Sequence, residues 1–151
     1  MDVNSFKQIN DTYGHAAGDN ALCAVTTALR SSLRITDLAA RIGGDEFFVL
    51  LPGSNEHSAS EVCARLRNAI QDVSVETRDG ERFSLAVSIG CVTSRGEEMT
   101  IAELFHDSDL KLYREKQADP TRDAKSVRPQ FMQQHYANQR GQAVGVHASD
   151  A

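Results

Sequence analysis

Long apolar runs, paired cysteines and blocks of basic residues are all missing from this 151-residue chain. No stretch of about 18 apolar residues occurs and Asp2 follows Met1 directly, so neither a membrane span nor a secretory leader is expected within it. The three cysteines, Cys23, Cys63 and Cys91, are widely spaced and form no CxxC pair. That pattern argues against a disulfide framework or a zinc cluster. It points to a reducing cytosol and leaves the cysteines as small core residues. His15, His57, His106, His135 and His147 show no metal-ligand spacing either. A formal charge of −5 without clustered Lys and Arg argues against broad nucleic-acid binding, which uses grouped cations to displace counterions from phosphates. A small phosphorylated ligand stays open, because a few cations and a metal suffice to hold it.

What is present is the composition of one globular domain, 40% apolar and 25% charged, without internal repeats. Leu22, Val25, Leu29 and Leu33 recur at helical spacing, and Gly18-Asp19 before them supplies a candidate cap, so a helix is expected over 18–33. Leu38–Ile42 and Phe47–Leu51 flank Gly43-Gly44-Asp45-Glu46 and predict a hairpin with the acidic pair at its tip. Ser58 and Glu61 form a capping-box pattern ahead of a helix to about Val73. Asp79-Gly80 predicts a turn between strands at 73–77 and 83–92, the second alternating through Phe83, Leu85, Val87, Ile89 and Cys91. Thr100 and Glu103 form another capping box, opening a helix to about Lys116 with Leu104, Ser108 and Leu112 on one face. Beyond Asp119-Pro120 the pattern fades, and residues 120–151 are expected to be a largely disordered tail. The order implies an α+β domain, a mixed or antiparallel sheet covered by helices.

Two acidic segments carry the chemistry, Asp2-Val3-Asn4-Ser5-Phe6-Lys7 and Gly43-Gly44-Asp45-Glu46-Phe47. Carboxylates from separate elements that converge can hold Mg²⁺, which prefers hard oxygen ligands and keeps positions open for nucleotide phosphates. Glycines beside them let a triphosphate approach the backbone.

The Gly43–Phe47 segment resembles the signature of the GGDEF family of diguanylate cyclases. Asp2–Asp11 is similar to that family's D-x-D-x-F-K-x-x-N-D segment, and Gly14-His15-Ala16-Ala17-Gly18-Asp19 to its G-H-x-x-G-D. Three ordered motifs, followed by Ser88-Ile89-Gly90 and the Asp109–Lys116 stretch, carry the resemblance over residues 1 to about 117. It implies a nucleotide-cyclase-like, palm-like fold for residues 1–119 and condensation of two GTP into cyclic di-GMP with Mg²⁺ in a homodimer. Asp2 and Asp45, with the Val3 carbonyl, would be the metal ligands. Asp45 and Glu46 would be the catalytic pair, Glu46 acting on the ribose 3′-hydroxyl or supporting the metal shell. Asn10 and Asp19 would read guanine, whose N1–H and amino group present a donor edge that adenine lacks. Lys7 and Lys116 would meet phosphates, with Phe6, Gly43 and Gly44 completing the substrate site. Arg34 and Asp37 resemble the family's R-x-x-D product-inhibition site, to which Arg65 would add. The resemblance further implies an upstream sensory domain, and a cytoplasmic location or the cytoplasmic face of a membrane. A domain of this kind that binds GTP or cyclic di-GMP without turnover is the second reading.

Two departures from the family pattern stand out. Family domains carry about 40 more residues before the first metal-binding Asp, including a helix and most of a central strand. The sheet is therefore expected to lack a partner here, and Asp2 its rigid support. After Lys116 the family's Gly-Arg-Asn run is replaced by Asp119-Pro120-Thr121-Arg122, and Lys111 and Glu115 stand where small residues are usual.

Overall fold

The computed structural model describes residues 1–94 and 99–118. Their order is β1 (Asp2–Val3), α1 (Phe6–Tyr13), α2 (His15–Ser32), β2 (Leu38–Gly43), β3 (Glu46–Leu50), α3 (Glu56–Gln71), β4 (Ser74–Glu76), β5 (Arg82–Ser84), β6 (Val87–Ser88) and α4 (Ile101–Ala118). A four-stranded sheet runs β2-β3-β1-β6, and β4-β5 form a separate ribbon. Every pairing is antiparallel. The α+β class is as expected.

Although β1 has two residues, it occupies the centre of the sheet. Asp2 pairs with Glu46 of β3 on one side and with Ser88 of β6 on the other. The amino group of Met1 donates to the Phe47 carbonyl at 2.9 Å, the Phe47 N–H returns a bond to Met1 at 2.8 Å, and the Asn4 N–H reaches Ala86 O at 2.9 Å. Asp2 is therefore held from both sides, contrary to the expectation that it lacks support. Its neighbour Val3 is buried with Val25 of α2 and Ile70 of α3, and these three anchor the core between the sheet and the helices. Leu22, Val25 and Leu29 line the buried face of α2 as their spacing predicts.

Several local expectations are corrected. The helix expected from Gly18 starts at His15, and Gly18 is buried within it, so Gly18-Asp19 is not its cap. A separate helix, α1, precedes it over residues whose mixed polarity gave no clear period. The cap of α3 is Asn55, whose side chain accepts the Ser58 N–H at 2.9 Å; Ser58 already lies inside the helix, and the helix ends at Gln71. The strand expected over 83–92 is divided. Residues 82–84 pair with β4, while Val87 and Ser88 cross to the central sheet. The apolar alternation runs on across the break through Phe83, Leu85, Val87 and Ile89, and a period of two cannot show which sheet a strand joins. The Asp79-Gly80 turn is as predicted, with Gly80 at φ +82°.

The Thr100–Glu103 capping box is also as predicted. The Thr100 N–H donates to Glu103 Oε2 at 2.8 Å, and the Glu103 N–H donates to Thr100 Oγ1 at 3.2 Å. Arg67 of α3 pairs with Glu115 at 3.0 Å, and Glu115 also accepts the Ile89 N–H at 3.2 Å. Lys111 donates to the Cys91 carbonyl at 2.8 Å. Glu115 and Lys111, unusual for the family pattern, thus fasten α4 to α3 and to the end of β6. The expected tail over 120–151, and the replaced run at 119–122, lie outside the described residues.

Candidate active site

The sheet register brings the two acidic segments together. Asp2 sits opposite Glu46, and the Val3 N–H donates to the Asp45 carbonyl at 3.2 Å. Chain reversal at Gly44, φ +28°, places Asp45 immediately before β3, and the register shifts between Arg41 and Gly43. Arg41, which carried no signal in the sequence, braces this tip by donating from Nε to the Gly44 carbonyl at 2.8 Å. The opposite end of β1 turns into α1 through Ser5, a non-glycine residue at φ 53°. Such left-handed strain persists where surrounding structure over-determines it. Asn4, beside it, accepts from Ser88 Oγ at 2.8 Å, while its Nδ2 is buried without a partner.

A cation closes the acidic cluster. Lys116 of α4 reaches Asp2 with Nζ 2.7 Å from Oδ1, and both side chains are largely buried. Burial nevertheless pushes the Asp2 carboxyl above its ordinary value of 3.8; the Lys116 contact pulls it back in part, and the Asp45 charge adds to the rise. Glu46 is raised from 4.5 by burial first, then by the charges of Asp2 and Asp45. A proton therefore leaves these two groups less readily in the folded chain than in the unfolded one. Their effect on stability is most favourable below the ordinary carboxylate range and worsens as pH rises through the raised values. Glu46→Gln should thus stabilise the metal-free chain at about pH 7 by up to about 1 kcal/mol, the size being limited by solvent around a half-buried group. The gain should vanish near pH 4. Urea unfolding at the two pH values checks it, and an equal difference at both would show that burial and neighbouring charge do not disfavour the ionised Glu46.

Among the described residues, no three acidic, His or Cys side chains form a ready-made metal cage. The donor set still fits Mg²⁺, since two carboxylates and a main-chain carbonyl suffice for an ion that keeps water and phosphate oxygens in its shell. A divalent cation would offset the repulsion that Asp45 adds at Asp2 and that Asp2 and Asp45 add at Glu46.

The residues expected to read guanine lie on α1 and α2. The Asn10 side chain and the Phe6 ring rest against the backbone of Gly18, where any Cβ would collide with Asn10 Oδ1. This contact sets the Asn10 amide beside the residue that precedes Asp19. Lys7 and Asp19 are exposed on the same helix pair.

The family described as diguanylate cyclase, GGDEF domain, matches residues 1–122. The chain belongs to the GGDEF family. Among curated relatives, diguanylate cyclase A of Treponema denticola is 37% identical over 117 residues, covering 78% of this chain and 31% of that protein. Among solved structures, the diguanylate cyclase SiaD of Pseudomonas aeruginosa, in complex with its activator SiaC, superposes with a TM-score of 0.73 at 36% identity. It covers 81% of this chain and 45% of that one. The GGDEF domain of DgcB from Caulobacter crescentus, in complex with c-di-GMP, gives 0.71 at 26% identity, over 78% of this chain and 69% of that one. The chain thus spans about a third of the length of the curated relative.

In this GGDEF domain the segment after α2 has its own order. Asp37 Oδ2 accepts the Arg34 N–H at 2.8 Å, and the Asp37 N–H reaches the Arg34 carbonyl at 3.0 Å, so the pair is closed through the backbone. The Arg34 guanidinium is left on an exposed residue. Arg65 of α3 donates from Nη2 and Nε to the Ser32 carbonyl, at 2.8 and 3.2 Å, which brings it to the same end of α2. Gly18→Ala separates binding from folding here. Alanine suits a helix interior and the clash is with a flexible side-chain end, so stability should change by less than about 1 kcal/mol. Displacement of Asn10 should weaken GTP affinity by about tenfold or more. Titration with a fluorescent GTP analogue decides it, and unchanged affinity would remove Asn10 from the base site.

Proposed function

We propose that this domain condenses two GTP molecules into cyclic di-GMP, one GTP being held by each copy of the chain in a homodimer. The observation that carries this reading is the meeting of Asp2 with the Asp45-Glu46 tip beneath Lys116, in a chain of the GGDEF family. Asp2, Asp45 and the Val3 carbonyl would hold Mg²⁺, which would neutralise the triphosphate and make the ribose 3′-hydroxyl more acidic. Glu46, its carboxyl already raised by burial and nearby charge, would take up a proton from that hydroxyl. Lys116 exchanges the Asp2 carboxylate for phosphate oxygens as nucleotide enters, and Lys7 adds a second phosphate contact. Asn10 and Asp19 read the guanine edge, with Phe6, Gly43 and Gly44 shaping the approach.

Each 3′-oxygen attacks the α-phosphorus of the other GTP and pyrophosphate leaves, so one copy of the chain offers only half of the reacting geometry. Facing two half-sites converts an encounter in solution into an oriented reaction. Dimerisation is then the point of control, set by an upstream sensory domain, and the protein works in the cytoplasm or at its membrane face. Arg34, Asp37 and Arg65 form a product site in which an Arg fork meets phosphate or guanine and the carboxylate meets the opposite guanine edge. Incubating the chain with GTP and Mg²⁺ and resolving the nucleotides by anion exchange tests the proposal. Cyclic di-GMP should form with two pyrophosphates per product, at a rate rising with the square of chain concentration. Bound GTP without product would make it a sensor instead.

A further inference from the structure

No step of the proposed reaction uses Cys63 or Cys91. Cys63 lies on the buried face of α3, and Cys91 is half-buried on the segment leaving β6. Both line one surface pocket of about 360 Å³, together with Arg67, Lys111 and Arg114. The cations are held in place independently of the thiols, Lys111 by the Cys91 carbonyl and Arg67 by Glu115 and the Ile89 carbonyl. We propose that Cys63 and Cys91 form a hydroperoxide-responsive dithiol, with Cys91 the attacking sulfur and Cys63 the resolving one.

The assignment of roles follows from access first, since Cys91 is half-buried at the pocket while Cys63 is buried on α3. The neighbouring Cys63 thiol lowers the Cys91 thiol below its ordinary value, Lys111 and Arg67 lower it further, and burial and Glu56 oppose them. The same contact, with burial, pushes Cys63 up, which keeps its proton in place. A thiolate beside cations in an open pocket is the arrangement that makes a cysteine reactive. The Cys91 thiolate attacks the terminal oxygen of a hydroperoxide, the O–O bond breaks, and hydroxide or alkoxide leaves with sulfenic acid on Cys91. Cys63 sulfur then attacks the Cys91 sulfur, its proton goes to the departing hydroxide, and water and a disulfide result; the hydroperoxide is the two-electron oxidant. The bond would tie α3 to the segment that α4 packs on through Gly90.

The exposed Cys23 is an internal control, since it would react first if access alone governed oxidation. The reduced chain is treated with a few equivalents of hydrogen peroxide and mapped by peptide mass spectrometry. A mass lower by two hydrogens on the linked Cys63 and Cys91 peptides, restored by dithiothreitol, is expected. Cys63→Ser should accumulate a dimedone adduct on Cys91, and Cys91→Ser should leave Cys63 unoxidised at the same dose. Oxidation confined to Cys23, a dimedone adduct on Cys63, or no linked pair in the wild-type chain would each overturn the proposal.

Discussion

Replacing Asp45 with alanine should lower cyclic di-GMP formation by at least about a thousandfold while leaving the thermal midpoint within a few degrees of the parent. The two halves of that expectation have separate causes. Asp45 precedes β3 at a hairpin tip and is half-buried, and its backbone carbonyl, which survives the substitution, is what accepts the Val3 N–H. The fold therefore loses little. The site loses one of only two carboxylates proposed to hold Mg²⁺, and with it the neutralisation of charge that develops on the triphosphate. Product assay and a thermal melt on the same preparation read both effects. Turnover retained within tenfold would remove Asp45 from the metal site, and a collapsed midpoint would make its role structural.

Gly90→Ala should behave in the opposite way, destabilising the chain by about 3 kcal/mol. A Cβ at Gly90 would collide with the Ser108 carbonyl oxygen and the Leu112 nitrogen, which are backbone atoms of α4 and cannot rotate aside. The helix must move as a body. Because α4 carries Leu112 into the core, Glu115 to Arg67 and Lys116 to Asp2, its displacement should also open the acidic cluster. Denaturant unfolding measures the first consequence, and activity measured well below the transition measures the second. A loss under about 1 kcal/mol would show that α4 is not tightly seated on the segment after β6. The contrast with Gly18→Ala is physical: one glycine faces a movable amide, the other a rigid helix backbone.

Much of the framework around the candidate site is legible in the sequence. The hairpin around Gly43-Gly44-Asp45-Glu46, the capping box at Thr100 and Glu103, and the apolar face of α2 are local patterns, and local patterns survive in a single sequence. The miscast elements share a cause as well. Ser58 and Glu61 match a capping box in type and spacing, yet Asn55 three residues earlier wins the cap because its side chain can accept the Ser58 N–H. The stretch 83–92 alternates as one strand would, and only pairing partners separate β5 from β6.

By itself, the order of acidic, glycine and lysine motifs along the chain determined the family, since each motif records chemistry written into neighbouring residues. The tertiary structure alone decided which distant groups meet: Asp2 with Lys116, Arg67 with Glu115, Arg65 with the end of α2, and Cys63 with Cys91, whose separation in sequence argued against any pairing. Such meetings depend on how helices seat against the sheet, and that seating comes from the packing of the whole core, which no short window of residues encodes.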